Sequence, residues 1–164
     1  MTIYIKNKHT LQIDDFKFRC CIGKKGSTKN KKEKDKKTPK GLFELGDLFY
    51  RQDRMQKPKT KLNCKILRKN LRWCDNPNDK INYNKLITKQ FDIKSEKLYR
   101  KDYKYDLLIP INFNTKNTIY GNGSAIFLHL TKNYQGTAGC VALNKKDFLI
   151  LLKLINKKTK IKIY

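Results

Sequence analysis

The run Ser124–Leu130 constrains the fold of this chain more than any other segment. Apart from Ser124 and His129, its residues are apolar and favour extended backbone. A short run of this composition predicts a buried strand that carries His129 at or near its end. Asp106–Asn112 predicts a second central strand on the same grounds. The core of the fold is therefore expected to be a sheet.

Shorter runs of β-branched and aromatic residues predict further strands, and one apolar stripe predicts a helix. The strands are expected at Thr2–Lys6, Leu11–Ile13, Phe16–Ile22, Leu42–Tyr50 and Thr159–Tyr164. The helix follows Asn144, a good N-cap residue, and ends near Lys157 and Lys158. Its core-facing stripe has i, i+3, i+4, i+7 spacing and consists of Phe148, Leu151, Leu152 and Ile155. The expected fold class is mostly β with one clear helix.

A length of 164 residues fits a single domain spanning 1–164. Within it, residues 24–40 form a basic loop that is too polar to fold alone and is expected to be mobile. Residues 51–104 carry short apolar stretches divided by Pro58, Pro77 and charged clusters. They are expected to be a loop-rich insertion within the domain and not a second domain.

The net charge of +25 comes mainly from lysine, which supplies 33 of the 39 basic residues. Nucleic acid, an anionic membrane and a cell-wall polymer would each be attracted by this charge. AT-rich coding sequence, which enriches Lys, Asn and Ile together, would instead leave a solvated basic surface without a particular partner. The scattered lysines favour that interpretation and argue against a specific nucleic-acid partner, because phosphate recognition favours Arg.

Membrane, export and metal signals are weak in this sequence. No apolar run approaches the roughly eighteen residues of a membrane helix, so an integral membrane protein is not expected. The start of the chain lacks the profile of a signal peptide. The five cysteines show no Cys-x-x-Cys spacing and no His-rich partner segment. We therefore expect neither a metal site nor a cofactor, and a Cys64–Cys74 disulfide stays open.

His129 and Cys140 lie eleven positions apart in a segment with the residue types of thiol chemistry. A thiol becomes a good nucleophile when an imidazole takes its proton. Gly139 lets backbone N–H groups converge next to the sulfur, where an oxyanion would form. A buried structural cysteine and a structural histidine are the competing interpretation.

Further motifs extend this pattern over nearly the whole chain. They are Cys20–Gly26, Thr38–Phe43 (Thr-Pro-Lys-Gly-Leu-Phe), Leu71–Pro77, Tyr83-Asn84, Glu96–Asp102 and Tyr105–Leu108. Together with His129 and Thr137-Ala-Gly-Cys140, they resemble the L,D-transpeptidase catalytic domain family (YkuD-like, ErfK/YbiS-like), in a divergent branch. Ala138 and Ala142 stand where many relatives carry His and Arg or Asn.

The resemblance implies a β-rich sandwich fold. It also implies an enzyme that transfers peptidoglycan stem peptides through a thioester and so crosslinks or trims the cell wall. It makes Cys140 the nucleophile, His129 the acid and base, and Gly139 a backbone donor to the oxyanion. The implied substrate-binding residues are Thr137, Tyr105, Asp106, Trp73 and Asp75. For Trp73 a core position, and for Asp75 and Thr137 a turn contact, are equally compatible with the sequence.

The same resemblance implies a location in the periplasm or cell envelope, with peptidoglycan stem peptides as binding partners. Two other functions fit the residues. One is a Cys/His amide hydrolase or acyltransferase with another substrate, and the other is a non-catalytic basic module that binds an anionic polymer.

Overall fold

The computed structural model describes residues 1–88 and 95–164. Its strands are β1 (Thr2–Ile5), β2 (Thr10–Ile13), β3 (Phe16–Arg19), β4 (Ser27–Thr28), β5 (Thr38–Pro39), β6 (Gly41–Glu44), β7 (Leu48–Tyr50), β8 (Cys64–Ile66), β9 (Leu71–Trp73), β10 (Leu86–Thr88), β11 (Glu96–Lys97), β12 (Leu107–Pro110), β13 (Phe127–Leu130), β14 (Val141–Leu143) and β15 (Lys160–Ile163). The helix α1 spans Lys145–Leu154. The expected fold class, mostly β with a single helix in the described chain, is confirmed.

Two five-stranded sheets form the body of the fold. The first has the order β3-β2-β1-β15-β6, and the second has the order β14-β13-β12-β7-β8. One hydrophobic core takes side chains from both sheets and from α1, as in a sandwich. Ile3, Leu128, Val141 and Leu151 are fully buried in it.

The second sheet also has an opposite, partly apolar face. Successive side chains of a strand point to opposite faces, so Leu128 and Leu130 enter the main core while Phe127 and His129 point away from it. On that opposite face Phe127 belongs to a smaller cluster that includes Trp73, Tyr105 and Cys140. The candidate catalytic residues thus lie on the face of the sheet that does not touch the helix.

The helix begins as predicted and ends earlier. The Asn144 side chain caps it by accepting a hydrogen bond from the Asp147 backbone N–H at 2.8 Å. It ends at Leu154, where Ile155 adopts extended backbone, and not near Lys157 and Lys158. Ile155 is still buried in the core, so the apolar stripe outlasts the helix.

Leu42–Tyr50 was predicted as one strand and forms two. Its first part belongs to β6 in the first sheet, and its last residues form β7 in the second sheet. At the bend between them Gly46 lies against Pro110, where an added Cβ would stand 3.2 Å from the proline ring. The prediction was wrong because a run of apolar residues does not reveal a change of sheet.

The basic loop 24–40 is more structured than its composition predicts. It contains the parallel pair β4 and β5, and it buries Lys31 and Thr38. Within 51–104, the described residues form β8 at the edge of the second sheet and the small sheet β10-β9-β11. The five cysteines, including Cys64 and Cys74, are free thiols. No helix among the described residues is long and apolar enough to span a membrane.

Candidate active site

The pairing of β13 with β14 brings His129 and Cys140 to one place. The two strands are parallel, with Leu128 opposite Val141 and His129 opposite Ala142. Cys140 stands directly before β14, two positions from Ala142, so its side chain takes the same face of the sheet as His129. Both residues line a cavity of about 430 Å³.

The structure brings three of the five predicted substrate-binding residues to this cavity. Thr137, Tyr105 and Asp75 line it beside the candidate nucleophile and base. Trp73 and Asp106 do not line it. The Trp73 indole packs edge-on against Phe127 and donates to Asn84 Oδ1 at 3.0 Å, and Asp106 pairs with Arg54 at 2.8 Å.

The Cys140 thiol is held by backbone groups. Its Sγ donates to the Ala125 carbonyl oxygen at 3.3 Å and accepts from the Phe127 N–H at 3.4 Å. Burial, with a smaller contribution from the Glu96 carboxylate, raises the pKa of Cys140 to about 12. The resting sulfur is therefore a protonated thiol, and in the described residues it shares no hydrogen bond with the His129 ring.

The His129 ring is oriented by the backbone and by an aromatic neighbour. Its Nδ1 lies 2.8 Å from the Leu130 carbonyl oxygen, which accepts hydrogen bonds only, so Nδ1 carries the proton and Nε2 has the free lone pair. Tyr105 packs edge-on against the ring at 5.1 Å between centroids. Burial lowers the pKa of His129 to about 4, which keeps the imidazole neutral. A neutral imidazole with a free Nε2 can accept a proton.

The turn before Cys140 is fixed by Thr137. Its hydroxyl donates to the Cys140 carbonyl oxygen at 2.6 Å and accepts from the Gly139 N–H at 3.0 Å. The Gly139 N–H is therefore engaged within the turn in this resting structure. The Thr137 side chain thus fixes the conformation of the turn that leads into Cys140.

Gly139 is required by its backbone and by its surroundings. Its φ of +151° disfavours any side chain, and an added Cβ would stand 3.0 Å from the Lys37 carbonyl oxygen. We expect Gly139→Ala to lower the free energy of unfolding by about 1–3 kcal/mol, measured by urea denaturation. Gly121→Ala is the matched control, because Gly121 has a φ of +80° and open space around it. Equal losses in both variants would contradict a role for the close contact at Gly139.

Most charged residues that line the cavity were not selected from the sequence, and Lys31, Glu33 and Glu96 are among them. Glu96 accepts a hydrogen bond from the Tyr105 hydroxyl, and burial raises the pKa of its carboxyl group. Glu33 accepts from the hydroxyls of Tyr83 and Ser124. The scarcity of acidic residues, 14 in the whole chain, could have drawn attention to both glutamates. Nothing in the sequence separates Lys31 from 32 other lysines.

Comparison with known protein families identifies the family of this chain. The family model of the L,D-transpeptidase catalytic domain, YkuD, matches residues 1–163. This chain is a member of that family. Searches of curated proteins and of solved structures each found no match.

Membership of the L,D-transpeptidase family indicates an L,D-transpeptidase-type enzyme, and the family acts on peptidoglycan. The match covers both His129 and Cys140 and the basic loop 24–40. In the described parts of the chain, no group of three or more His, Cys, Asp or Glu side chains is arranged to hold a metal ion.

Proposed function

We propose that this protein is a cysteine-dependent L,D-transpeptidase that acts on peptidoglycan stem peptides through a thioester at Cys140. One observation carries the proposal. Cys140 and His129 share one wall of one cavity, and the Leu130 carbonyl holds the His129 tautomer that leaves Nε2 free. This arrangement gives a thiol and a base with a free lone pair in one cavity, and rotation of the Cys140 side chain toward Nε2 would allow the proton transfer that the reaction requires.

In the first half of the reaction, Cys140 Sγ attacks the carbonyl carbon of the scissile amide as its proton passes to His129 Nε2. A C–S bond forms and the carbonyl oxygen becomes an oxyanion, which backbone N–H groups at Gly139 and Cys140 stabilise. The Gly139 N–H must leave Thr137 Oγ1 to take part. The C–N bond then breaks, the imidazolium returns its proton to the departing amine, and the terminal D-residue leaves.

In the second half, an acceptor resolves the thioester. An amine from a neighbouring stem peptide gives a crosslink, and water gives a trimmed peptide. His129 Nε2 takes a proton from the acceptor and returns it to the departing Cys140 thiolate. The cycle restores the neutral thiol and the neutral imidazole.

The protonation states argue for coupled proton transfer and against a stored thiolate. A thiol with a pKa near 12 and an imidazole with a pKa near 4 do not form an ion pair at neutral pH. The Cys140 side chain must also turn away from the Ala125 carbonyl to meet the base. We place this rotation of the Cys140 side chain at the substrate-binding step, because substrate binding expels water and reorders these contacts.

The raised thiol pKa predicts an unusual pH dependence of chemical labelling. Because only the thiolate reacts, alkylation of Cys140 by iodoacetamide should rise about tenfold per pH unit from pH 7 to 10 without levelling off. The unfolded protein in urea is the control, and its rate should level off near the ordinary cysteine pKa of about 8.5. Peptide mass spectrometry measures the labelled fraction. A plateau below pH 8 in the folded protein would contradict the neutral pair.

The direct test of the proposed function is incubation with tetrapeptide muropeptides. Intact-mass analysis should show an acyl adduct on the protein, and chromatography should show release of the terminal D-residue. Labelling of the protein by a carbapenem should follow the same route. Absence of both adducts under conditions where the protein is folded would remove the proposal.

A further inference from the structure

Lys31 brings a buried positive charge to the cavity that holds Cys140. Its side chain is only 4% exposed, although it is one of 39 basic residues in the chain, a residue class that normally lies at the surface. It lines the cavity together with Cys140 and His129. Burying an ammonium group is costly unless it is paired, so the position of Lys31 needs an explanation.

Two glycines make room for the Lys31 stem. A Cβ on Gly123 would stand 2.7 Å from Lys31 Cγ, and a Cβ on Gly139 would stand 3.7 Å from Lys31 Cε. The stem therefore passes over the residue that directly precedes the nucleophile. The ammonium group lies on the Gly123 side of the cavity, where an added Cβ would stand 3.3 Å from Nζ, while Tyr105 and Glu96 form another part of the lining.

Asp35 and the Lys32 carbonyl oxygen accept two hydrogen bonds from the Lys31 ammonium group. Lys31 Nζ donates to Asp35 Oδ1 at 2.6 Å and to the Lys32 carbonyl oxygen at 2.6 Å. Asp35 in turn accepts from the N–H groups of Lys32 and Lys37, each at 2.9 Å. An ammonium group has three N–H donors. Within residues 1–88 and 95–164 no group accepts from the third N–H of Lys31, which remains for a ligand in the cavity.

We propose that Lys31 binds a carboxylate of the acyl donor and so selects substrates whose leaving residue ends in a free carboxylate. The identity of that carboxylate rests on the proposed transpeptidase function. Lys31 differs from the other lysines of the cavity, such as Lys24 and Lys34, which are exposed and hydrated. A buried, preoriented cation discriminates charge more strongly than a solvated one. Ala138 and Ala142, which lie on either side of Cys140 in the sequence, have uncharged side chains and offer no cation to a carboxylate.

The first experiment compares two alkylating reagents at Cys140 and needs no turnover. Iodoacetate carries a carboxylate and iodoacetamide does not, and peptide mass spectrometry gives both rates at Cys140. In Lys31→Met the ratio of the iodoacetate rate to the iodoacetamide rate should fall about tenfold, the effect expected for one lost charge-assisted hydrogen bond. Any change in the thiol pKa affects both reagents alike and cancels in the ratio.

Two further variants separate binding from general effects. Lys24→Met removes an exposed charge from the same cavity and should leave the ratio unchanged. Asp35→Asn removes the counter-charge and should keep or raise the ratio, whereas loss of the loop structure would lower it. An unchanged ratio in Lys31→Met, or an equal fall in Lys24→Met or Asp35→Asn, would overturn the assignment.

The second experiment uses acyl donors that end in a D-residue carboxylate or in its carboxamide. In Lys31→Met, KM for the carboxylate donor should rise about tenfold while kcat changes little, and the carboxamide donor should be unaffected. Equal losses for both donors would overturn the role in selection. If neither donor reacts with any variant while the alkylation ratio still depends on Lys31, the transpeptidase proposal fails and the carboxylate site stands.

Discussion

Cys140→Ala should abolish the acyl adduct on the protein and lower release of the D-residue from tetrapeptide muropeptides by about 10⁴-fold or more. The sulfur forms the covalent bond on which both halves of the proposed reaction depend, and alanine offers no nucleophile in its place. The side chain is buried among groups that the smaller alanine leaves in position. The fold should therefore survive, as circular dichroism and thermal denaturation will show.

Cys64→Ala is the matched control for this variant. Cys64 is a free, partly buried thiol in β8, at the far edge of the sheet from β14. Its loss should leave the adduct and the turnover unchanged. An adduct that persists in Cys140→Ala and disappears in Cys64→Ala would show that Cys64 forms the acyl bond, and this result would refute the proposed site.

His129→Asn should lower kcat by about 10²–10⁴-fold at neutral pH with little change in KM. The asparagine amide N–H can take the place of Nδ1–H on the Leu130 carbonyl, while the basic Nε2 is lost. Without the base, the thiol must be deprotonated by solvent. The residual rate of the variant should therefore rise with pH, in contrast to the wild type, which stays near its full rate above the His129 pKa of about 4.

The other histidine of the chain, His9, provides the control. It is exposed in the loop between β1 and β2. His9→Asn should leave kcat and its pH profile unchanged. A His129→Asn variant whose loss of rate is the same at pH 7 and pH 10 would show that the ring acts through packing against Tyr105 and not as a base.

The strands and the helix that depend on local pattern were predictable. The apolar run before His129 became β13, and the Asn144 cap with its stripe became α1. Both predictions rest on residues that are neighbours in sequence and in structure. The order of strands in each sheet was not predictable, because pairs such as β1 with β15 join distant parts of the chain.

The candidate site was predictable where chemistry concentrates in one segment. His129, Thr137 and Cys140 lie in a single stretch, and the structure places all three at one cavity. The other site features depend on tertiary contacts. Lys31 differs from the other lysines only in its burial. Trp73 is buried because Phe127 and Asn84 provide its packing and hydrogen-bond partners. Residue type alone carries neither fact.

The central position of β15 decides when this molecule can fold during its own synthesis. β15 lies between β1 and β6, and it pairs with β1 from Thr2 opposite Lys160 to Ile5 opposite Ile163. Until the ribosome has released the last of these residues, β1 and β6 each expose an unpaired edge. The first sheet can therefore form only after β15 has been synthesised, and folding through such distant contacts is slow. During that interval, a chaperone has an open sheet edge to protect.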